Sequence, residues 1–162
     1  MTFYEDLSPY SEEPEDTFWE GEGTRVVTFT PRYTRINVGW LAAAHPFDVG
    51  SPPPGFEEQL DRILHGQYVN AALGTHPCEL CDIAEDDTPQ APRGSSEIRV
   101  PASPTEVFAA PFLIGHYVQA HSYLPPRPFV DAVLACHDTW RNGPPAPWLP
   151  DDAQRLDFEA DD

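Results

Sequence analysis

Two cysteines three positions apart, Cys78 and Cys81 in "GTHPCELCD", stand in a chain with only one other cysteine, Cys136. A Cys-x-x-Cys turn aims both sulfurs at one point while its backbone amides stabilise the thiolates, and zinc favours thiolate sulfur and imidazole nitrogen in a tetrahedron. The pair therefore predicts half of a metal site, and the other half must come from a distant segment. His116 and His121 in "PFLIGHYVQAHSYLPP" have the spacing of a second ligand pair. Five residues turn an α-helix by about 500°, which leaves the two imidazoles roughly 140° apart. Both reach one ion only if the helix bends or ends near His121, and the prolines that follow supply an early end. The expected site is one Zn2+ held by Cys78, Cys81, His116 and His121. His76, two residues before Cys78, and Cys136 are the alternatives, with Cys136 read first as a small buried apolar group.

Other chemistry finds less support. "PCELC" matches half of a zinc deaminase signature, whose remaining ligand lies in an upstream His-x-Glu with the Glu as proton shuttle. The comparable spot here is "AHPFDVG", where His45 is followed two residues later by Phe47, and only Asp48 stands near enough to substitute. Glu79 lies inside the knuckle and reads as a solvated turn residue. There is no Gly-x-Ser-x-Gly elbow, Walker loop, Gly-x-Gly-x-x-Gly or His-Glu-x-x-His. A thioredoxin-like role lacks the preceding βαβ pattern. No catalytic residue is assigned, and a zinc hydrolase or deaminase with an open metal position is the alternative to a structural site.

The elements that must carry these side chains follow from pattern. "TRVVTFTPRYTRINVGWL" is rich in β-branched and aromatic residues and is broken by Pro31, which predicts strands over 25–30 and 33–41. Ile36, Val38 and Trp40 would then share one face. "SPPPGFEEQLDRILHG" predicts a helix: acids favour its N-terminal end, Phe56, Leu60, Ile63 and Leu64 recur at helical spacing, and Gly66 stops it. "QYVNAALG" reads as a short strand, and "DIAEDDTPQAPRGSS" as a polar loop. Runs at 97–100 and 106–109 about "PASP" read as a hairpin. A helix then opens at Pro111, and a last helix places Phe129, Val133, Cys136 and Trp140 on one apolar stripe. The fold class is α+β, a small antiparallel sheet with about three helices.

At 162 residues the chain suits one domain, large enough for an ordinary core. Composition divides it into an acidic aromatic N-terminal arm (1–24), a zinc-stabilised domain (25–142) and a Pro-rich acidic tail (143–162). The tail is expected to add little to thermal stability. No run of about 18 apolar residues offers a membrane span, and an acidic N-terminus lacks the pattern of a secretory signal, so cytoplasmic location and reduced thiols are expected. The net charge is −18, with eight acids and no base in 1–24 and six acids in 151–162. That balance disfavours direct nucleic-acid binding, which needs a cationic face, and suits a basic protein partner. A protein-interaction module with a structural metal is the expected function, an inhibitor or immunity-like protein being one form of it.

The order knuckle, hairpin, helix with a second ligand pair resembles the treble-clef class of zinc modules from Cys78 to about His121. The whole chain also resembles an uncharacterised bacterial family through "EDLSPY", "NVGWL", "HPCELC", "EIRVP", "FAAPFLIGHYVQAHSYLPP" and "FVDAVL". That resemblance implies the metal ligands and brings no activity with it.

Overall fold

The computed structural model describes residues 3–20, 25–71, 76–81 and 93–157. Among these described residues, eight strands and three α-helices run in the order β1 (Asp16–Glu20), β2 (Arg25–Phe29), β3 (Thr34–Asn37), α1 (Phe56–Gly66), β4 (His76–Pro77), β5 (Arg93–Gly94), β6 (Glu97–Ser103), β7 (Glu106–Pro111), α2 (Ile114–His121), α3 (Arg127–Ala135) and β8 (Gln154–Asp157). A 3-10 turn, Asp138–Trp140, follows α3. The α+β class is as expected, but the single antiparallel sheet is not. Strands β1, β2 and β8 form one antiparallel sheet, β3, β7 and β6 a mixed one, and β4 and β5 a two-residue ladder. Strand β3 runs parallel to β7 because the long crossover through α1 and β6 brings the chain back in the same direction.

The boundaries moved where single residues intervened. The strand expected over 33–41 ends at Asn37, since Gly39 turns out of the sheet at φ 81°. Trp40 therefore leaves the face of Val38 and packs with Tyr10 and Ala109 in a separate cluster. The "QYVNAALG" strand is reduced to one bridge, Val69 to Glu97, with 72–75 outside the described residues. Of the polar loop, 82–92 are likewise outside them. Helix α2 starts at Ile114, because Pro111 closes β7 and Phe112 and Leu113 make the turn. The last helix stops at Ala135, where Cys136 turns extended and Gln59 Nε2 donates to its carbonyl at 3.1 Å. The predicted stripe still buries: Phe129, Val133, Cys136 and Trp140 all lie in the core.

Helix α1 buries the four side chains its periodicity named, Phe56, Leu60, Ile63 and Leu64. It packs against α2 and α3, and α3 covers β6. Strand β1, inside the acidic arm, and β8, inside the tail, both pair with β2. The three compositional segments thus share one sheet. Rings hold the arm down: Tyr10 and Phe18 are buried, Phe3 stacks on His45 at 3.8 Å and Tyr4 meets the Trp40 edge. The second feature beneath the arm is a buried ion network. Asp16 accepts from Arg99 Nη2 at 2.8 Å and Nε at 3.1 Å, from Arg35 Nη1 at 2.9 Å and from Tyr33 Oη at 2.8 Å. Arg99 Nη2 also donates to Glu97 Oε1 at 2.8 Å, and both guanidinium groups lie over the Tyr10 ring. Buried charges persist only with partners of this quality.

Candidate metal centre

Cys78 follows β4 directly, and the β4–β5 ladder fixes the direction in which the knuckle leaves. The chain then turns through Glu79 and Leu80 to Cys81, with Leu80 and Cys81 packed partly against the core. Backbone amides of Leu80 and Cys81 donate to the Cys78 sulfur, the arrangement that a knuckle uses to steady a thiolate. The opposing wall is α2. Two glycines let it sit close: a Cβ at Gly115 would stand 2.6 Å from Leu64 Cδ1, and one at Gly39 would stand 2.7 Å from Ile114 Cδ1. Gly39 is needed twice over, since its φ of 81° is also one that side chains disfavour.

Helix α2 ends at His121, the last helical residue, and Ser122 follows in the left-handed region at φ 55°. That early stop resolves the 140° problem. His116 projects from the helix body and His121 from its last residue, and the two rings meet edge-on with centroids 5.0 Å apart. The stop is itself anchored, because Tyr123 N donates to Tyr117 O at 3.1 Å and Tyr123 Oη donates to Asp6 Oδ2 at 2.8 Å. The acidic arm thus holds the end of the helix that bears the imidazoles.

The ligand atoms of Cys78, Cys81, His116 and His121 all lie within 4.8 Å of one another. Cys81 Sγ stands 3.2 Å from His116 Nε2 and 3.5 Å from His121 Nε2, and Cys78 Sγ stands 3.5 Å from His121 Nε2. A zinc tetrahedron with ordinary Zn–S and Zn–N bonds has a sulfur-to-nitrogen edge of about 3.6 Å. The three observed separations, 3.2 Å, 3.5 Å and 3.5 Å, are close to that length. Electrostatics agree: burial pushes the Cys78 thiol up and the His116 imidazole down, so a lone thiolate is costly here and a neutral imidazole is favoured. A divalent cation supplies the charge that offsets the first and uses the lone pair of the second.

The alternatives fall elsewhere. His76 is exposed on β4 and is not in the cluster; Cys136 is buried, with its thiol 3.8 Å from His137 O. His45 is stacked on Phe3, away from the four. Glu79 is exposed on the turn. A cleft of about 1000 Å³ lined by Phe18, Trp19, Tyr68 and Asn142 shares no residue with the cluster. What sequence reading missed is the ion network. Its signal was present, two charged residues inside the strand-like run "EIRVP", where Glu97 and Arg99 alternate with Ile98 and Val100.

Nothing among curated proteins or solved structures matches the chain significantly. One family does, over residues 2–134, a span that includes β1 to β7, both cysteines of the knuckle and both histidines of α2 and stops short of β8. The chain belongs to that family, described as Domain of unknown function (DUF7919).

Proposed function

We propose that the cluster holds one Zn2+ as a closed structural centre in a treble-clef-like arrangement, and that the chain is a protein-interaction module for a basic partner. The observation that carries the metal reading is the set of three sulfur-to-nitrogen separations at tetrahedral edge length. Four protein side chains leave no coordination position for water, which is what separates a structural zinc from a catalytic one. The ion would tie β4 and the knuckle to α2 across more than thirty residues of chain. Soft sulfur with imidazole suits zinc among the common divalent ions. Elemental analysis of purified protein tests it, with one zinc per chain expected. Cobalt substitution then reports the donor set: an S2N2 spectrum unmoved by small anions supports a closed centre, whereas sensitivity to anions indicates an open one.

The interaction reading rests on charge. With a net charge of −18, the chain attracts cationic surfaces and repels nucleic acid. No helix is long and apolar enough to cross a membrane among the described residues. An inhibitor or immunity-like role fits such a surface. Capture of a basic partner is expected to weaken strongly between low salt and about 0.5 M salt, where screening shortens to a few ångströms. Equal retention at both would count against charge-driven recognition.

A further inference from the structure

Beside the knuckle lies a cavity of about 250 Å³ that the metal centre does not use. Its walls come from separate segments: Glu12 and Glu13 of the arm, Trp40, His76 of β4, Glu97 of β6 and Phe112 before α2. The two arm glutamates are exposed, so they stand at the mouth, whereas Glu97 is 8% exposed and lies deep. Among the described residues lining the cavity there is no lysine or arginine.

The deep carboxylate is incompletely used. Glu97 Oε1 accepts from Arg99 Nη2 at 2.8 Å and from Tyr10 Oη at 2.9 Å, but among the described residues Oε2 has only the longer 3.2 Å arm of the same tyrosine hydroxyl. A carboxylate has room for about four hydrogen bonds. Within the network, Asp16 and Glu97 balance Arg35 and Arg99; at the mouth the Glu12 carboxylate accepts from the Tyr4 hydroxyl and Arg35 Nη2 reaches the Glu13 backbone carbonyl at 2.6 Å, so among the described residues neither glutamate carboxylate is paired with a guanidinium. Burial pushes the Glu97 carboxyl above the usual Glu range against the pull of Arg99, a cost that a cation in the cavity would reduce. Trp40 and Phe112 supply apolar wall for an alkyl stem and an aromatic face for a cation. The volume is below the roughly 300 Å³ at which pockets for drug-sized ligands begin, and suits one long side chain.

We propose that this cavity receives the guanidinium or ammonium end of an arginine or lysine side chain presented by a partner protein. The assignment rests on the basic-partner reading above and names the place where that partner inserts. Strand β4 forms the wall with His76 and leads straight into Cys78, so the metal centre steadies one side of the receptor.

The test is an NMR titration of the full chain, with metal content measured on the same sample. The probes are Nα-acetyl-arginine amide, Nα-acetyl-lysine amide and the neutral Nα-acetyl-citrulline amide. The two cations are expected to shift the amides of 94–97 and the Trp40 indole at millimolar concentration, and citrulline is not. Glu12→Gln with Glu13→Gln should weaken binding about tenfold while leaving the melting temperature near wild type. Glu97→Gln should weaken it further, with melting recorded to show that the variant folds. Equal shifts from citrulline, or no shift from either cation up to about 20 mM, would overturn the assignment. A silent titration on zinc-loaded protein removes the receptor and leaves the metal centre standing; shifts on metal-free protein do the reverse. An arginine within a Gly-Ser peptide should bind no more weakly than methylguanidinium, and the opposite order would point to a free small cation and sink the partner-protein assignment.

Discussion

Cys81 is the residue on which the cluster closes, because its sulfur is the one that reaches both imidazoles. Cys81→Ser is expected to release the metal and to lower stability by at least about 3 kcal/mol, read by elemental analysis and chemical denaturation. Cys136→Ala is the control at the same scale. It should retain the metal and cost only about 1–2 kcal/mol of core packing, since Cys136 touches the apolar core and not the cluster. Asp16 makes a second residue-scale prediction. Burial raises its carboxyl, but Arg99, Arg35 and Tyr33 more than overcome that and hold it below the ordinary 3.8. A carboxyl depressed in the fold contributes stability at neutral pH that disappears as pH falls through the folded value. Asp16→Asn should therefore cost about 3–5 kcal/mol at pH 7, by leaving two guanidinium groups without their shared carboxylate. It should also flatten the acid limb below about pH 4, measured by denaturation at a series of pH values. Glu97 works in the opposite sense, since its raised carboxyl favours the fold at low pH and loses that contribution as pH rises through the folded value.

At the scale of elements, the seat of α2 decides whether the imidazoles meet the knuckle. The helix approaches α1 closely enough that only a hydrogen fits at position 115, with Leu64 Cδ1 2.6 Å from where a Cβ would stand. Gly115→Ala is expected to destabilise by about 1–3 kcal/mol through overpacking. In a Leu64→Ala background the same change should cost much less, because the obstructing methyl is gone. A double-mutant cycle measures the difference, and equal penalties in both backgrounds would show that α2 is not seated on that contact. Helix periodicity foretold α1 well because Phe56, Leu60, Ile63 and Leu64 face one core. It foretold the end of α3 less well, because the Gln59 hydrogen bond to Cys136 O comes from another helix.

For the whole molecule, composition set the tails apart while pairing draws them in. Removing 151–162 takes away β8 and uncovers one edge of β2, although every residue of β8 is itself exposed. A fall in melting temperature of about 2–5 °C is expected, less than that from Cys81→Ser, and scanning calorimetry on both checks the order. An unchanged melting point would mean that the β2–β8 ladder contributes nothing.

The four side chains of the Cys2His2 cluster were legible in the chain because their chemistry is carried by residue type and spacing: two sulfurs on one turn and two imidazoles before a helix stop. So were the α+β class and the apolar stripes, which are local periodicities. The parallel pairing of β3 with β7, the arm folded over the sheet and the Asp16–Arg99–Glu97 network were decided only in three dimensions. Each joins segments far apart in sequence, and a buried charge is stable only once the distant partner that neutralises it has arrived. The cavity beside the knuckle belongs with them, since its walls come from the arm, β4, β6 and the turn before α2, and no one of those stretches carries a pocket by itself.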